Sequence, residues 1–194
     1  KITKLKRQKQ TMGKVSYLWA KFRQMKITVI GESNLDISVH RDETALQGGC
    51  TPAKIRFHHG GVARNIAHNL SLLGQDVRLM SVFGDDGFAA QMMEECLSIG
   101  MDLSLSTRFS NEKSPVFLSF NDEMGNMQSA VSDIGLNLRM DLDWLKGKME
   151  AVNESDMVVA DTLLSADALT CLIDCCEVPL YIDTVSPKRA LVLN

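Results

Sequence analysis

Prolines, aromatic residues and long apolar runs are scarce in this sequence of 194 residues. It contains 4 prolines, and 6% of its residues are aromatic. No apolar run approaches the roughly 20 residues that a membrane-spanning helix needs. The 45% hydrophobic and 23% charged residues are typical of a globular domain. These values exclude a low-complexity chain and favour one sizeable domain.

The cysteines are irregularly spaced and include no two pairs at zinc-finger spacing. There are five of them, and three fall at positions 171, 175 and 176 of one apparent helix. Disulfides belong to oxidising compartments and structural zinc sites need regularly spaced ligands. We therefore expect reduced, mostly buried thiols in a cytoplasmic protein.

Acidic residues are absent from the first 26 positions, which hold nine Lys and Arg residues. The remaining positions carry 12 basic and 24 acidic residues. Residues 1–24 read as a basic leader or upstream tail, because Met25 stands directly before the first clear strand. A nucleic-acid arm and an organelle transit segment are the alternatives. The acidic body makes nucleic acid an unexpected partner.

From Met25 onward, short β-rich runs alternate with amphipathic helical segments. The run 27–30 is a buried strand, and apolar residues at helical spacing in 62–73 end at Gly74. Further strands are predicted at 53–58, 77–83, 103–107, 116–120, 127–131, 156–160 and 180–183, and helices at 88–99, 142–152 and 166–176. Such repeated units predict a mainly parallel sheet covered by helices. The strands near Val39, Ile55 and Val116 interrupt the rhythm and predict a small second sheet.

Two polar residues follow the first strand, where ligands bind in open α/β sheets. Asn34 and Asp36 belong to the segment Gly31–Asp36. A carboxylate that accepts hydrogen bonds from vicinal hydroxyls is a good anchor for a sugar. The alternative is a turn stabilised by the Asn and Asp side chains. A single glycine here argues against a dinucleotide site, and the sequence has no Walker-type phosphate loop.

A glycine pair precedes the helix that begins near Val62. Gly60 and Gly61 lack a Cβ and so let the backbone approach a ligand closely. Asn65 adds an amide, with a donor and an acceptor, in the first helical turn. The segment favours a polar small-molecule site, and the alternative is a tight strand-to-helix turn.

Four segments in this order resemble the ribokinase-like (PfkB) carbohydrate kinase family. They are Gly31–Asp36, Gly60–Ala67, Leu73–Gly74 and Val82–Phe88. The resemblance implies a three-layer α/β/α fold with a mainly parallel sheet and a small β-sheet lid. The kinase domain would span 25–194, with lid strands at about 35–58 and 103–131.

Three further stretches most resemble the pseudouridine kinase subfamily: Phe57–Leu70, Ala130–Gly135 and Ile182–Ser186. The sequence departs from that pattern at Cys50–Ala53 and at Asp161–Leu163. The resemblance implies ATP-dependent phosphorylation of pseudouridine to pseudouridine 5′-phosphate. Alternatives are kinases for ribose, adenosine or inosine, and a non-catalytic nucleoside-binding truncation.

The resemblance also implies roles for individual residues. Asp36 would hold ribose hydroxyls, Asn34 would support it, and Gly60, Gly61 and Asn65 would hold the sugar from the other side. Asp133 is a candidate contact to the nucleobase, with a simple loop carboxylate as the alternative. Arg64 is expected on an exposed helix position, and the alternative is a ligand to a phosphate or to the substrate. The remaining candidates, His58, His59 and His68, lack zinc-site spacing and are expected to face solvent.

Phosphoryl transfer also needs a base and groups that bind ATP and Mg²⁺. Family members carry the base in a Gly-Ala-Gly-Asp segment and organise Mg²⁺ with Asn-x-x-Glu, and the sequence contains neither. We therefore expect an N-terminal portion of a kinase, with the catalytic base beyond Asn194 and the ATP and Mg²⁺ sites mostly outside this chain. Alone, it is expected to be inactive and poorly stable. The sequence does not decide whether the protein forms a homodimer through the lid.

Overall fold

The computed structural model describes residues 24–41 and 49–193. The strands are β1 (Lys26–Ile30), β2 (Asn34–His40), β3 (Lys54–Gly60), β4 (Asp76–Met80), β5 (Val82–Phe83), β6 (Thr107–Arg108), β7 (Val116–Asn121), β8 (Met127–Asp133), β9 (Met157–Asp161) and β10 (Leu180–Asp183). The helices are α1 (Val62–Leu72), α2 (Gly87–Ser98), α3 (Leu142–Lys146), α4 (Met149–Asn153), α5 (Ala166–Cys175) and α6 (Pro187–Ala190), with 3-10 helices at Gly135–Arg139 and Leu191–Leu193. The basic leader, apart from its last residue, lies outside the described residues.

The main sheet is parallel and runs in the order β10-β9-β1-β4. Side chains of β1 alternate between its faces: Ile27 and Val29 contact one apolar cluster and Ile30 the other. Helices α1 and α2 cover the first face through residues such as Ala67 and Met92. Helices α3 and α5 cover the second face. This three-layer α/β/α arrangement confirms the fold class.

A second sheet in the described part has the order β3-β2-β7-β8. Strand β2 is antiparallel to β3 and parallel to β7, and β7 is antiparallel to β8. Every residue of β8 is exposed. Strand β2 begins four residues after β1 ends, so the second sheet starts at the carboxyl edge of the main sheet. The small second sheet is thus confirmed, while its action as a lid stays a prediction.

Several predicted boundaries were wrong. The run 77–83 is interrupted at Ser81, and only its last two residues continue as β5. The predicted strand 103–107 is largely a turn, with β6 limited to Thr107–Arg108 and paired with β5. The predicted helix 142–152 is two short helices, because the first ends at Gly147.

The expected burial of the cysteines was also wrong. Cys96, a residue of α2, is fully buried. Cys50 and Cys175 are exposed, and Cys171 and Cys176 are half-buried. All five are free thiols. Among the helices in the described ranges, none is both long and apolar enough to cross a membrane.

Candidate acceptor site

The candidate site lies where β1 and β9 end and β2 begins. Asp161, the last residue of β9, is fully buried. Its carboxylate accepts hydrogen bonds from the backbone N–H of Glu32 at 2.8 Å, Ala63 at 3.2 Å and Leu163 at 2.9 Å. Helix α1 has no side-chain N-cap of its own, so Asp161 satisfies one of its free N–H groups. Burial raises the pKa of Asp161, and the three N–H groups act against that shift.

Asn34 and Asp36 meet at the start of β2. Asn34 is 4% exposed, and its Nδ2 donates to Oδ1 of Asp36 at 2.8 Å. Burial raises the pKa of the half-buried Asp36, while Asn34, Arg64 and His58 favour its charged form. Oδ2 of Asp36 has no hydrogen-bond donor among the residues that the structure describes. The Asp36 carboxylate therefore offers one oxygen to a ligand.

Gly60 and Gly61 form the wall that the sequence predicts beside Asp36. Gly60 pairs with Asn34 across the strands, and a Cβ placed on it would overlap the Asp36 carboxylate. Gly61 has φ of 92°, and a Cβ there would overlap the carbonyl of Glu32. Both positions thus require the close backbone approach that glycine allows.

Glu32 is a member of the site that the sequence reasoning missed. Burial above all, together with the nearby carboxylates of Asp161 and Asp36, raises the pKa of Glu32 to about 7. Against these, Nδ2 of Asn137 donates to Oε1 of Glu32 at 2.7 Å, and Arg189 also lowers the pKa. Asn137 lies in the 3-10 helix that follows β8, so this bond connects the second sheet to the end of β1.

We expect Glu32→Gln to stabilise the protein at pH 8 by about 1–3 kcal/mol, from the free energy of a shift of this size. A raised folded-state pKa means that protonated Glu32 favours folding. That contribution is complete below about pH 4.5 and is lost as pH rises through about 7. Urea unfolding at pH 4.5, 6 and 8 measures the effect. The exposed Glu150→Gln is the control, and parallel pH curves for wild type and Glu32→Gln would contradict the assignment.

The expectation that Arg64 is exposed was wrong, because Arg64 is 5% exposed. Its guanidinium lies under the end of β3, where it donates to the carbonyl of His59 and, at 3.4 Å, to that of Gly60. Glu95 of α2 supplies the opposite charge at 3.9 Å. If the Arg64 side chain pointed to solvent, the carbonyls of His59 and Gly60 would lose the guanidinium as a donor. These carbonyls and Glu95 therefore hold Arg64 in its buried position.

The three histidines also differ from expectation. His58 is exposed as predicted, but His59 and His68 are half-buried. Nδ1 of His59 bonds to Glu95, and Nδ1 of His68 lies 3.1 Å from Nη1 of Arg64. The expectation that they face solvent was therefore wrong for His59 and His68. The part of the chain that the structure describes contains no group of three or more His, Cys, Asp or Glu side chains suited to a metal.

Asn65 faces a cavity of about 650 Å³ between β3, α1 and α2. Phe57 and Phe88 stack at 6.2 Å between ring centroids on its wall, and Glu95 also lines it. Oδ1 of Asn65 accepts from Nη2 of Arg64 at 2.7 Å. Asn65 therefore lies beside Gly60 and Gly61, and its amide oxygen is occupied by Arg64.

Asp133 lies apart from the other candidates, at the exposed end of β8. Its pairing partner is Val116 of β7, which in turn pairs with Leu35 of β2. Two strand spacings, or roughly 10 Å, therefore separate it from β2. Oδ1 of Asp133 accepts from the N–H of Gly135 at 3.1 Å, as in a local turn.

Comparison with known proteins gives one family match. Residues 24–190 match the family described as pfkB family carbohydrate kinase. The uncharacterized sugar kinase YeiI of Escherichia coli strain K12 is 34% identical over 163 residues, which are 84% of this chain and 45% of that protein. The pseudouridine kinase of the same strain is 30% identical over 166 residues, covering 85% of this chain and 53% of that protein.

Solved structures show the same fold. The ribokinase from Thermotoga maritima superposes with a TM-score of 0.75 at 19% identity, covering 84% of this chain and 54% of that one. The architecture is therefore ribokinase-like. The chain spans about half the length of the curated relatives it matches.

Proposed function

Because this chain belongs to the pfkB family of carbohydrate kinases, we propose that it binds the acceptor of an ATP-dependent phosphoryl transfer to a sugar or nucleoside hydroxyl. The observation that carries the proposal is the Asp36 carboxylate beside Gly60. One oxygen of Asp36 is held by Asn34, and the carboxylate fits against Gly60 because that residue has no Cβ.

The chemistry of Asp36 favours a hydroxyl-bearing ligand. Hydrogen bonds in which the acceptor is ionised are about twice as strong as neutral ones. Partial burial strengthens them further, since water competes less and the local dielectric is lower. Asn65 lines the neighbouring cavity and adds an amide there. In this proposal the Asp36 carboxylate and the Asn65 amide bind and orient the acceptor.

For the acceptor itself we propose pseudouridine. The relative that carries this name is 30% identical, and the segments Phe57–Leu70 and Ile182–Ser186 resemble that subfamily. Asp133 stays a candidate contact to the base. Another sugar or nucleoside is the alternative, since a relative named only as a sugar kinase is 34% identical.

We assign no residue of this chain to the catalytic base. The described ranges hold no group of three or more metal-binding side chains, and the sequence has no Walker-type phosphate loop, so we assign none of these residues to Mg²⁺ or ATP. In the proposed reaction ATP would supply the phosphoryl group and Mg²⁺ would neutralise its charge. The part proposed for this chain is confined to the acceptor. The chain alone is accordingly expected to bind a nucleoside without turning over ATP.

Calorimetric titration of the 194-residue chain tests the proposal. The panel is pseudouridine, uridine, inosine, guanosine, adenosine and ribose, and we expect pseudouridine to bind most tightly. A preference for another member would correct the substrate. Failure of every member to bind would overturn the acceptor site, and steady ATP turnover by this chain would overturn the assignment of no catalytic base.

We also propose a homodimer that forms through the second sheet. Ile37, Phe57, Leu118 and Val131 pair across the strands and therefore share one face. Phe57 and Val131 are 57% and 61% exposed. A contiguous apolar face of this kind is typical of an interface, and a second copy would cover it with the same residues.

In sedimentation velocity, Val131→Lys should raise the dimer dissociation constant about tenfold or more, because a charge would be buried at the interface. Ser132→Lys is the matched control, because the adjacent side chain points to the opposite face. A wild-type chain that stays monomeric at 100 μM, or equal effects of the two variants, would contradict the dimer.

A further inference from the structure

The cavity between β3, α1 and α2 lies on the other face of the second sheet from Asp36. Its volume is about 650 Å³, and Leu35 and Phe57 line it while Asp36 does not. Neighbouring side chains of a strand point to opposite faces, so Leu35 and Asp36 lie on opposite faces of β2. Phe57 pairs with Ile37 across the strands and shares the face of Leu35. A ligand in this cavity would therefore not contact the Asp36 carboxylate.

Two phenyl rings form an apolar wall of this cavity. The ring centroids of Phe57 and Phe88 lie 6.2 Å apart, and their planes are inclined by 14°. The two residues are 57% and 42% exposed, so much of their surface is open to a further ring. Aromatic side chains bind planar heterocycles by stacking. The volume of the cavity is in the range of small-molecule sites.

The charged side chains that line the cavity are paired with each other. Arg64 and Glu95 lie 3.9 Å apart, and the guanidinium also donates to the carbonyls of His59 and Gly60. The lining residues in the described ranges include no other Lys, Arg, Asp or Glu. The cavity thus offers no unpaired Lys or Arg to a phosphate or carboxylate, and its chemistry favours an uncharged ligand.

Glu95 and Arg64 fix the hydrogen-bond polarity of two histidines on the cavity wall. The hydrogen bond from His59 above all, together with nearby positive charges, lowers the pKa of Glu95. The ionised carboxylate only accepts, so Nδ1 of His59 is the donor in this bond. A guanidinium only donates, so Nδ1 of His68 accepts from Nη1 of Arg64 at 3.1 Å. In neutral rings the second nitrogen has the opposite role, which makes Nε2 of His59 an acceptor and Nε2 of His68 a donor.

Three amides add further donors and acceptors to the cavity. Oδ1 of Asn65 accepts from Arg64 at 2.7 Å, which leaves its Nδ2 as a donor. Nδ2 of Asn69 donates to the backbone carbonyl of Asn65 at 2.9 Å, which leaves its Oδ1 as an acceptor. The Gln91 side chain makes no hydrogen bond to the residues that the structure describes. The cavity therefore combines an aromatic wall with uncharged donors and acceptors.

We propose that this cavity is a second ligand site, for an uncharged planar heterocycle with a lactam edge, the chemistry of uracil and hypoxanthine. The ring N–H of a lactam only donates and its carbonyl only accepts, so a donor and an acceptor of fixed polarity select this edge. The N–H donates to Nε2 of His59, the carbonyl accepts from Nε2 of His68, and the ring stacks on Phe88. This site does not depend on the proposed function, because a free base has no ribose hydroxyl for Asp36 to bind.

Titration of the 194-residue chain with free bases tests the proposal. Calorimetry follows the binding of uracil and hypoxanthine. The matched ligand is 1,3-dimethyluracil, which keeps the ring and both carbonyls but has no N–H donor, and the cavity has room for its methyl groups. We expect uracil to bind about three- to tenfold more tightly than 1,3-dimethyluracil, the effect of one hydrogen bond. Equal affinities for these two ligands, or no binding of uracil and hypoxanthine, would overturn the site.

Phe88→Ala tests whether the ligand lies in the cavity. It should weaken uracil binding about fivefold or more, the effect of removing an aromatic ring on which a base stacks. Phe88 is on α2 and is not one of the residues proposed for the dimer face. Tyr181→Ala removes another exposed aromatic ring, on β10, and is the control that should bind uracil like wild type. Wild-type affinity in Phe88→Ala would contradict the proposal.

His59→Phe tests the polarity of the site. It removes the acceptor and keeps a planar ring, so uracil should lose its advantage over 1,3-dimethyluracil. A retained advantage in the folded variant would overturn the role of His59. Urea unfolding checks the fold of each variant, and if His59→Phe does not fold, the ligand pair and Phe88→Ala decide the proposal.

Asp36→Ala separates this site from the acceptor site. It should bind uracil as tightly as wild type, because Asp36 lies on the other face of the sheet. If Asp36→Ala weakened uracil binding, the base would lie in the acceptor site and the second site would be wrong, while the proposed function would stand. If uracil bound as expected but no nucleoside of the panel depended on Asp36, the proposed function would fail and the second site would stand.

Discussion

Replacement of Asp36 by Ala should weaken binding of the preferred nucleoside about 10- to 100-fold, the range for hydrogen bonds to a charged group. The Asp36 carboxylate has one oxygen open to a ligand and lies against Gly60, where a side chain would displace it. No other carboxylate of the described residues shares this position on β2. Loss of Asp36 therefore removes both the charge and the acceptor that a sugar hydroxyl would meet.

We expect the Asp36 variants to lose affinity for the nucleoside without losing stability. Because burial raises the pKa of Asp36, the folded state holds its carboxylate at a cost, and removing the charge should not unfold the protein. Asp36→Asn keeps the shape and the contact with Asn34, so its loss of affinity reports the charge alone. Affinity of the wild type should also fall at acid pH sooner than for an ordinary Asp, as Asp36 becomes protonated.

Calorimetric titration with the panel nucleoside measures these effects, and urea unfolding checks the fold of each variant. Asp174→Ala, on the exposed side of α5, is the control and should bind like wild type. Asp133→Ala tests whether Asp133 also contacts the nucleobase. If the affinity of Asp36→Ala for the nucleoside stayed within threefold of wild type, Asp36 would not be the residue that binds the sugar hydroxyls.

Gly61→Ala should destabilise the protein by about 2–4 kcal/mol, since it combines left-handed backbone strain with an overpacked contact. Gly61 has φ of 92°, and a Cβ would meet the carbonyl of Glu32 and the backbone of Ser33. These atoms belong to the tight link between β1 and β2, which Asp161 also holds. They have little freedom to move aside.

Two other glycines separate the effect of backbone strain from that of steric overlap. Gly74 has φ of 80° with open space around it, so Gly74→Ala should cost about 1 kcal/mol from backbone strain alone. Gly87 opens α2 with open space and no left-handed φ, so Gly87→Ala should be neutral or slightly stabilising. Free energies of unfolding from urea titration rank the three. If Gly61→Ala cost no more than Gly74→Ala, the proposed clash with Glu32 would be wrong.

Much of the fold could be predicted because it depends on local patterns. The compact apolar run 27–30 became β1, and the helical spacing from Val62 onward became α1. The run 103–107 misled because it is apolar at alternate positions yet mostly forms a turn. Only Thr107 and Arg108 find a partner strand there, and a pairing partner is not a local property.

The residues of the candidate site also fall into those that the local sequence predicts and those that it does not. Asn34, Asp36 and Gly60 lie close together because β2 and β3 are neighbouring antiparallel strands whose register pairs Asn34 with Gly60. Arg64 was misjudged because a single Arg in the first turn of an amphipathic helix is usually solvated. Its burial depends on Glu95, 31 residues later on another helix.

Asp161 and Glu32 show the same limit. As isolated carboxylates after two strands, they carry no local signal that one is fully buried and that the other has a pKa near 7. Those properties arise where β9 and β1 end side by side and water is excluded. A helical cap supplied from about 100 residues away also has no counterpart in the local pattern.

By itself, the sequence determined the alternation of strands and helices and the family, and it named the candidate site residues, because periodicity and glycine spacing are local. The tertiary structure alone decided which of those residues are buried, which oxygen of Asp36 is bonded to Asn34 and which atom of Asn65 is bonded to Arg64. Burial, pKa and hydrogen-bond polarity depend on partners that are distant along the chain and meet only when the sheet and helices pack together.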